Sequence, residues 1–205
     1  MSVLSSEMKA KIIGLTGGIA SGKSFVSQLI KEQGFLVIDA DEVVHKLQKK
    51  GGKLYRVLVD FFGDDILQND GELDRPILSA LFFSNREVQQ KVSQLQDDII
   101  RQELARERER ASQTHDIFFM DIPLLFERHY ETSVDEVWLV YVDKQTQLKR
   151  LMARNHYSEE EAMKRITSQE SLETKKKKAD VIIDNNGSKE VTKQKVLALL
   201  KASSV

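Results

Sequence analysis

The residues with the most evident chemistry run from Gly17 to Ser24: Gly17-Gly18-Ile19-Ala20-Ser21-Gly22-Lys23-Ser24, or G-x-x-x-x-G-K-S. This is the spacing of a phosphate-binding loop, and it has physical meaning only at a turn from strand to helix. The flanks meet that condition. Lys11-Ile12-Ile13-Gly14-Leu15-Thr16 is a short apolar strand candidate, and Val26, Leu29 and Ile30 keep helical spacing up to Gly34. A polyphosphate needs many donors at short range and no side chains in the way. Glycines at 17, 18 and 22 let the backbone curl into a nest of inward N–H groups, and a helix starting near Lys23 adds unsatisfied amides and a positive dipole end. Lys23 is expected to reach the β- and γ-phosphates and the Ser24 hydroxyl to hold Mg²⁺. Ile19, Ala20, Ser21 and Phe25 complete the stretch expected to line the phosphates.

Carboxylates and arginines supply the rest of a phosphoryl-transfer site. Asp39-Ala40-Asp41 follows a second apolar run, Phe35 to Asp39. Either acid can orient an acceptor hydroxyl and take its proton late, or can cap the following helix. Asp121 ends the apolar run Ile117-Phe118-Phe119-Met120, where it reads as the acid near a loop-bound Mg²⁺ or as a turn residue before Ile122-Pro123. Arg150 and Arg154 lie four apart on one helical face beside Gln147, ahead of a second helix carrying Lys164 and Arg165. Such a hairpin is either a lid that neutralises charge and excludes water, or a solvated surface element. Lys175 to Lys178 reads as a solvated loop. The histidines at 45, 115, 129 and 156 are scattered without metal-ligand spacing.

The elements that must position these groups alternate. Strands are expected at Lys11–Thr16, Phe35–Asp39, Ile117–Asp121, Glu136–Val142 and Ala179–Ile183. Helices are expected between them, including one long amphipathic helix from Asn85 to about Ala111 and a capping box at Ser158/Glu161. Asp74 is expected to cap a helix with Pro76 in its first turn. Nearly all-apolar strands separated by helices argue an α/β fold, with a parallel sheet covered on both faces. Ligands of such sheets bind at the carboxyl ends of the strands, where the loop, Asp39/Asp41, Asp121 and Asp143 all fall.

Composition narrows the class. The 205 residues suit one sizeable domain, with 40% hydrophobic residues to fill a core. Thirty-one basic against 32 acidic residues leave no global footprint for nucleic acid. The absence of cysteine excludes disulfides and thiolate metal sites. No apolar run approaches the ~20 residues of a membrane span, and Met1 to Lys9 is Ser-rich without the order of a signal peptide. A cytoplasmic protein without nucleic-acid or membrane partners, monomeric or weakly homo-oligomeric, is expected.

At this point the chain resembles the dephospho-CoA kinase family, over nearly its whole length. The resemblance rests on Gly14-Leu15-Thr16-Gly17-Gly18-Ile19 running into the loop, Ile38-Asp39-Ala40-Asp41, Phe62-Gly63 and Gly71-Glu72-Leu73-Asp74-Arg75. It continues in Ile122-Pro123-Leu124-Leu125-Phe126-Glu127, Gln147-x-x-Arg150-x-x-x-Arg154, Arg165-Ile166-x-x-Gln169, Ala179-Asp180 and Asn185. It implies a P-loop nucleoside-monophosphate-kinase-like fold with a five-stranded parallel core. As one domain, this has its core in 9–50, 114–145 and 178–205, a helical substrate-binding region at about 53–112 and a lid at about 146–170. It implies ATP and Mg²⁺ as cofactors and dephospho-CoA as substrate, phosphorylated on its ribose 3′-hydroxyl in the last step of coenzyme A synthesis. By match, Asp41 is the base and Arg150 and Arg154 the lid cations, with Asp39, Arg75, Glu127 and Gln169 near the acceptor. Three departures stand out: Ala20 where the family usually has Gly, Phe25 where it usually has Thr, and Asp97-Asp98 where it usually shows His-Pro.

Other readings make distinct demands. A nucleoside-monophosphate kinase would share the scaffold but not the quoted segments. A switch GTPase would use Asp60-Phe61-Phe62-Gly63 as D-x-x-G, but this lies between helical stretches, and no N-K-x-D guanine reader is present. An inactive scaffold would bind nucleotide without turnover.

Overall fold

Strand β1 (Lys11–Gly17) is buried from Ile12 onward because strands flank it and layers cover both its faces. The computed structural model describes residues 9–203; apart from Lys9, the Ser-rich start lies outside them. The five-stranded parallel sheet has the order β2 (Val37–Asp39), β3 (Ile117–Asp121), β1, β4 (Glu136–Tyr141), β5 (Val181–Asp184). Leu15 is in register with Asp121 on one side and Trp138 on the other. Three expected strands are shorter than their apolar runs: β4 ends at Tyr141, and β2 and β5 start late. Leu36 still accepts the Phe119 amide at 2.9 Å, but regular pairing begins at Val37. Before β5, the Asp180 carboxylate takes the Val137 N–H at 2.7 Å, so a side chain stands in for the ladder.

Each sheet face has its own layer. Ile13, Leu15, Phe119, Trp138, Val140 and Ile183 pack on α1 (Lys23–Glu32) and α9 (Lys189–Ser203) through Val26, Ile30, Val196 and Leu200. Phe119 sits edge-on to Phe35 and Trp138, with ring centroids 5.7 and 5.2 Å away. Fully burying each such large side chain contributes about 1.5–3 kcal/mol. On β1, Gly14 leaves room for Leu125: a β-carbon there would stand 2.7 Å from Leu125 Cδ1 and 3.1 Å from Val134.

The chain forms two compact units, one from the residues up to Ile38 and from Ala111 onward, the other Asp39–Arg110. The second holds α2 (Ala40–Leu47), α3 (Lys53–Phe62), α4 (Arg75–Ser84) and most of α5 (Arg86–Ser112), around Leu58, Ile66, Leu73 and Val92. Asp97 and Asp98 lie inside α5, which runs through them unbroken. Asp74 caps α4, accepting the Ile77 N–H at 3.0 Å. Asp60 is the carboxyl-terminal part of α3, and Gly63 ends that helix at φ 79°, so D-x-x-G is a helix terminus. In the first unit, α6 (Lys144–Asn155) and α7 (Glu159–Thr167) form a hairpin packed through Leu151, Ala162 and Ile166. The Ser158/Glu161 capping box is present. Among the described residues, no helix is long and apolar enough to cross a membrane.

Candidate active site

The turn from β1 to α1 has the geometry a phosphate loop requires. Gly22, the residue before α1, sits at φ 90°, a left-handed conformation that glycine adopts without penalty. Ala20 sits at φ 58°, in the same region but with a β-carbon. Gly17 is held by close approach: a β-carbon would stand 2.5 Å from Ser21 Oγ and 3.3 Å from the Val140 carbonyl. At Gly18 it would meet Gln147 Nε2 at 2.8 Å. Ser21 is fully buried, and its Oγ has no hydrogen-bond partner among the described residues. Ser24 and Phe25 lie in the first turn of α1, Ser24 exposed and Phe25 half-buried under Lys189.

Three loop carbonyls are gripped by side chains from elsewhere in the first unit. Gln147 Nε2 donates to Ile19 O at 2.8 Å, Asn185 Nδ2 to Ser21 O at 2.8 Å, and Lys175 Nζ to Gly17 O at 3.3 Å. In a planar trans peptide the C=O and N–H point opposite ways. Turning the Ile19 and Ser21 carbonyls outward therefore faces the N–H groups of Ala20 and Gly22 the other way, toward the concave side. Two loop amides are bonded within the protein: Ile19 N–H donates to Gln169 Oε1 at 3.0 Å and Ser21 N–H to the Gly18 carbonyl at 3.1 Å. Gln169 and Gln147 thus hold both polar groups of Ile19. Asn185 is itself oriented by the buried Thr192 hydroxyl, which donates to its Oδ1 at 2.8 Å.

Lys175 overturns a sequence expectation. Instead of lying in a solvated loop, it is in a short helix, α8 (Leu172–Lys176), with its side chain fully buried. Its ammonium is 2.8 Å from Glu127 Oε1, which also accepts the Glu170 N–H at 3.1 Å. Lys176, Lys177 and Lys178 are exposed, as expected. Nothing in the run of four lysines marks which one turns inward; Leu172, three residues earlier on the same face, was the available signal.

Lys23 and Asp121 are brought together. The ammonium is ion-paired with the carboxylate that ends β3, and the Asp121 side chain is 2% exposed. The neighbouring segment is tied down by Thr16, whose hydroxyl donates to the Pro123 carbonyl at 3.1 Å. Asp121 and the Ser24 hydroxyl are hard oxygen donors, the chemistry that suits Mg²⁺. Among the described residues no group of three acidic or imidazole side chains forms a cage. The donor set fits an ion held by few protein ligands and completed by phosphate oxygens.

On α6 the two arginines are not equivalent. Arg150 donates to the Asn185 carbonyl at 2.9 Å, whereas Arg154 is exposed and donates to Asn155 Oδ1 at 2.8 Å. Asp143 caps α6, accepting from the Thr146 amide and hydroxyl at 2.8 Å each, and these bonds hold its carboxyl below the usual carboxylate range. Tyr141, at the end of β4, donates to Glu173; that bond and burial push its hydroxyl up to about 12.

In the second unit, Asp39 caps α2, accepting from the Asp41 and Glu42 amides at 2.9 and 3.2 Å. Asp41, in the first turn, has its side chain exposed. Arg75 donates to His45 Nδ1 at 2.9 Å, beside a cleft of about 540 Å³ that Lys49, Gln68 and Glu72 also line.

Comparison with known proteins gives a consistent picture. The family model described as dephospho-CoA kinase matches residues 11–190. A dephospho-CoA kinase of Streptococcus agalactiae serotype Ia is 58% identical over 191 residues, 93% of this chain and 98% of its own length. One from Streptococcus pneumoniae is 52% identical, over 93% of this chain and 95% of its own. The structure of dephospho-CoA kinase from Campylobacter jejuni superposes with a TM-score of 0.74 at 31% identity, covering 93% of this chain and 95% of that one.

Proposed function

The chain belongs to the dephospho-CoA kinase family, and we propose how its residues divide the labour of that reaction. The reaction is ATP-dependent phosphorylation of the ribose 3′-hydroxyl of dephospho-CoA, giving coenzyme A and ADP, the final step of coenzyme A synthesis. The amides of Ala20 and of Gly22 to Ser24, with the Lys23 ammonium, hold the β- and γ-phosphates. Asp41 orients the acceptor hydroxyl and takes its proton late. Arg150 and Arg154 neutralise charge as it develops on the transferring group. Arg75 and Asp39 serve the acceptor side, while Gln169 acts through the Ile19 amide it accepts and Glu127 through Lys175, which grips the Gly17 carbonyl. Mg²⁺ would be held by Ser24 and Asp121, and it would supply charge neutralisation between the β- and γ-phosphates. We place the enzyme in the cytoplasm, as a monomer or weak homo-oligomer acting on small molecules.

The observation that carries this division is the loop: its glycines, outward-turned carbonyls and Lys23 lie together at the carboxyl end of the central strand. The test is incubation with ATP, Mg²⁺ and dephospho-CoA, read as an ATP-dependent mass gain of one phosphate on dephospho-CoA. Phosphorylation of a nucleoside monophosphate instead, or nucleotide hydrolysis indifferent to any acceptor, would reject it.

A further inference from the structure

A fully buried lysine is costly unless its charge is matched, so one that persists has a reason to be there. Lys175 is matched on two sides, by Glu127 at 2.8 Å and by the Gly17 carbonyl at 3.3 Å. Gly17 is the last residue of β1 and the first of the phosphate loop. Glu127 closes the Pro123–Glu127 segment, which Thr16 anchors to the same strand. The Glu127 carboxylate also receives the Glu170 amide, next to Gln169, which holds the Ile19 N–H. The chain from the end of α7 through α8 therefore meets the loop twice, at Ile19 through Gln169 and at Gly17 through Lys175.

We propose that Lys175 is a positioning residue for phosphoryl transfer: its ammonium, held by Glu127, fixes the mouth of the phosphate loop from outside. The inference rests on the loop being the ATP site. In this role Lys175 acts through the Gly17 peptide and not directly on ATP or the acceptor. It sets the Gly17 peptide, from which the following peptides up to the Ala20 and Gly22 amides take their direction. Without it, the loop still has its sequence but not its donors aimed at one point, so affinity for ATP falls while the acceptor is bound as before.

The test compares wild type, Lys175→Met and the double variant Lys175→Met/Glu127→Gln. Lys175→Met alone leaves the Glu127 carboxylate buried without its cation and is expected to melt at a lower temperature. The double variant removes both charges and should recover most of that loss, because a buried ion pair is often replaced by uncharged groups at little cost. The recovered protein should still show a KM for ATP raised about tenfold, the worth of one lost hydrogen bond from a charged donor, with KM for dephospho-CoA within about twofold of wild type. If ATP kinetics return together with the melting temperature, if only the KM for dephospho-CoA moves, or if the double variant does not fold, Lys175 is a structural brace and the proposal is wrong. Failure of the underlying reading looks different: wild-type protein would not bind ATP, or its binding would survive Lys23→Ala.

Discussion

The ammonium of Lys23 is ion-paired with the carboxylate of Asp121, joining the first turn of α1 to the end of β3. The pair joins the group expected to meet the phosphates to the acid expected near the metal. Removing Lys23 therefore does two things. Lys23→Ala should lower kcat on the order of 10³-fold or more, as charge-stabilising groups at phosphoryl transfer do. It should also destabilise the ligand-free protein, roughly 3 kcal/mol if Asp121 stays ionised. Added Mg²⁺ should return part of that stability by standing beside Asp121 in place of the lost cation. Thermal melts with and without Mg²⁺ check this; a variant that melts like wild type shows that the pair contributes nothing.

Asp39 and Asp41 are separated by their surroundings. Asp39 accepts two amides of α2 and Asp41 exposes its carboxylate. Asp39→Ala should cost about 1 kcal/mol of stability as a lost cap. Asp41→Asn should leave stability unchanged and reduce turnover strongly, because the base is lost without a structural bond being broken. Near-normal kcat in Asp41→Asn removes it as the base.

Ala20 adopts φ 58°, in the left-handed region that favours glycine. A β-carbon in this region costs roughly 1–2 kcal/mol, partly offset by the greater freedom of glycine in the unfolded chain. Ala20→Gly should thus stabilise the protein modestly, by at most about 1 kcal/mol, with kinetic constants nearly unchanged. A lower midpoint in a denaturant titration would show that the methyl group makes contacts worth more than the strain.

Most of the architecture was legible because it is local. The loop pattern, the apolar strands, the Asp74 cap and the Ser158/Glu161 box each depend on residues a few positions apart. What was not legible depends on distance. Lys175 and Gly17 are 158 positions apart, and Asn185 and Ser21 are 164 apart. Four consecutive lysines carry no mark of which is buried, since burial is decided by how α8 lies against the sheet. Asp143 falls at a strand end like Asp121, and position alone does not tell a ligand residue from the helix cap that Asp143 is.

Tyr141 gives a prediction in alkali. Its hydroxyl donates to Glu173, and ionisation would lose that bond and set two negative charges side by side, which is why its pKa is pushed up to about 12 from an ordinary 10.0. The folded state thus favours the protonated phenol. This contribution to stability is full below the unfolded value and is lost as pH rises through the folded one. Denaturant midpoints should fall between about pH 10 and 12 in the wild type. In Tyr141→Phe that part of the decline should be missing, and an identical decline would assign it to other groups.

Arg150 and Arg154 share a helical face but not an environment. Arg150 already spends a donor on the Asn185 carbonyl, and Asn185 holds the Ser21 carbonyl of the loop. Arg154 is exposed and donates to Asn155 Oδ1. Arg150→Ala should therefore lower thermal stability by about 1 kcal/mol as well as activity, because a carbonyl loses its charged donor. Arg154→Ala should leave stability untouched and reduce kcat at least as much as it raises KM, as expected of a cation that acts on charge present only in the transition state. If Arg154→Ala changes KM alone, the residue binds ground-state phosphate and contributes nothing further to the chemical step.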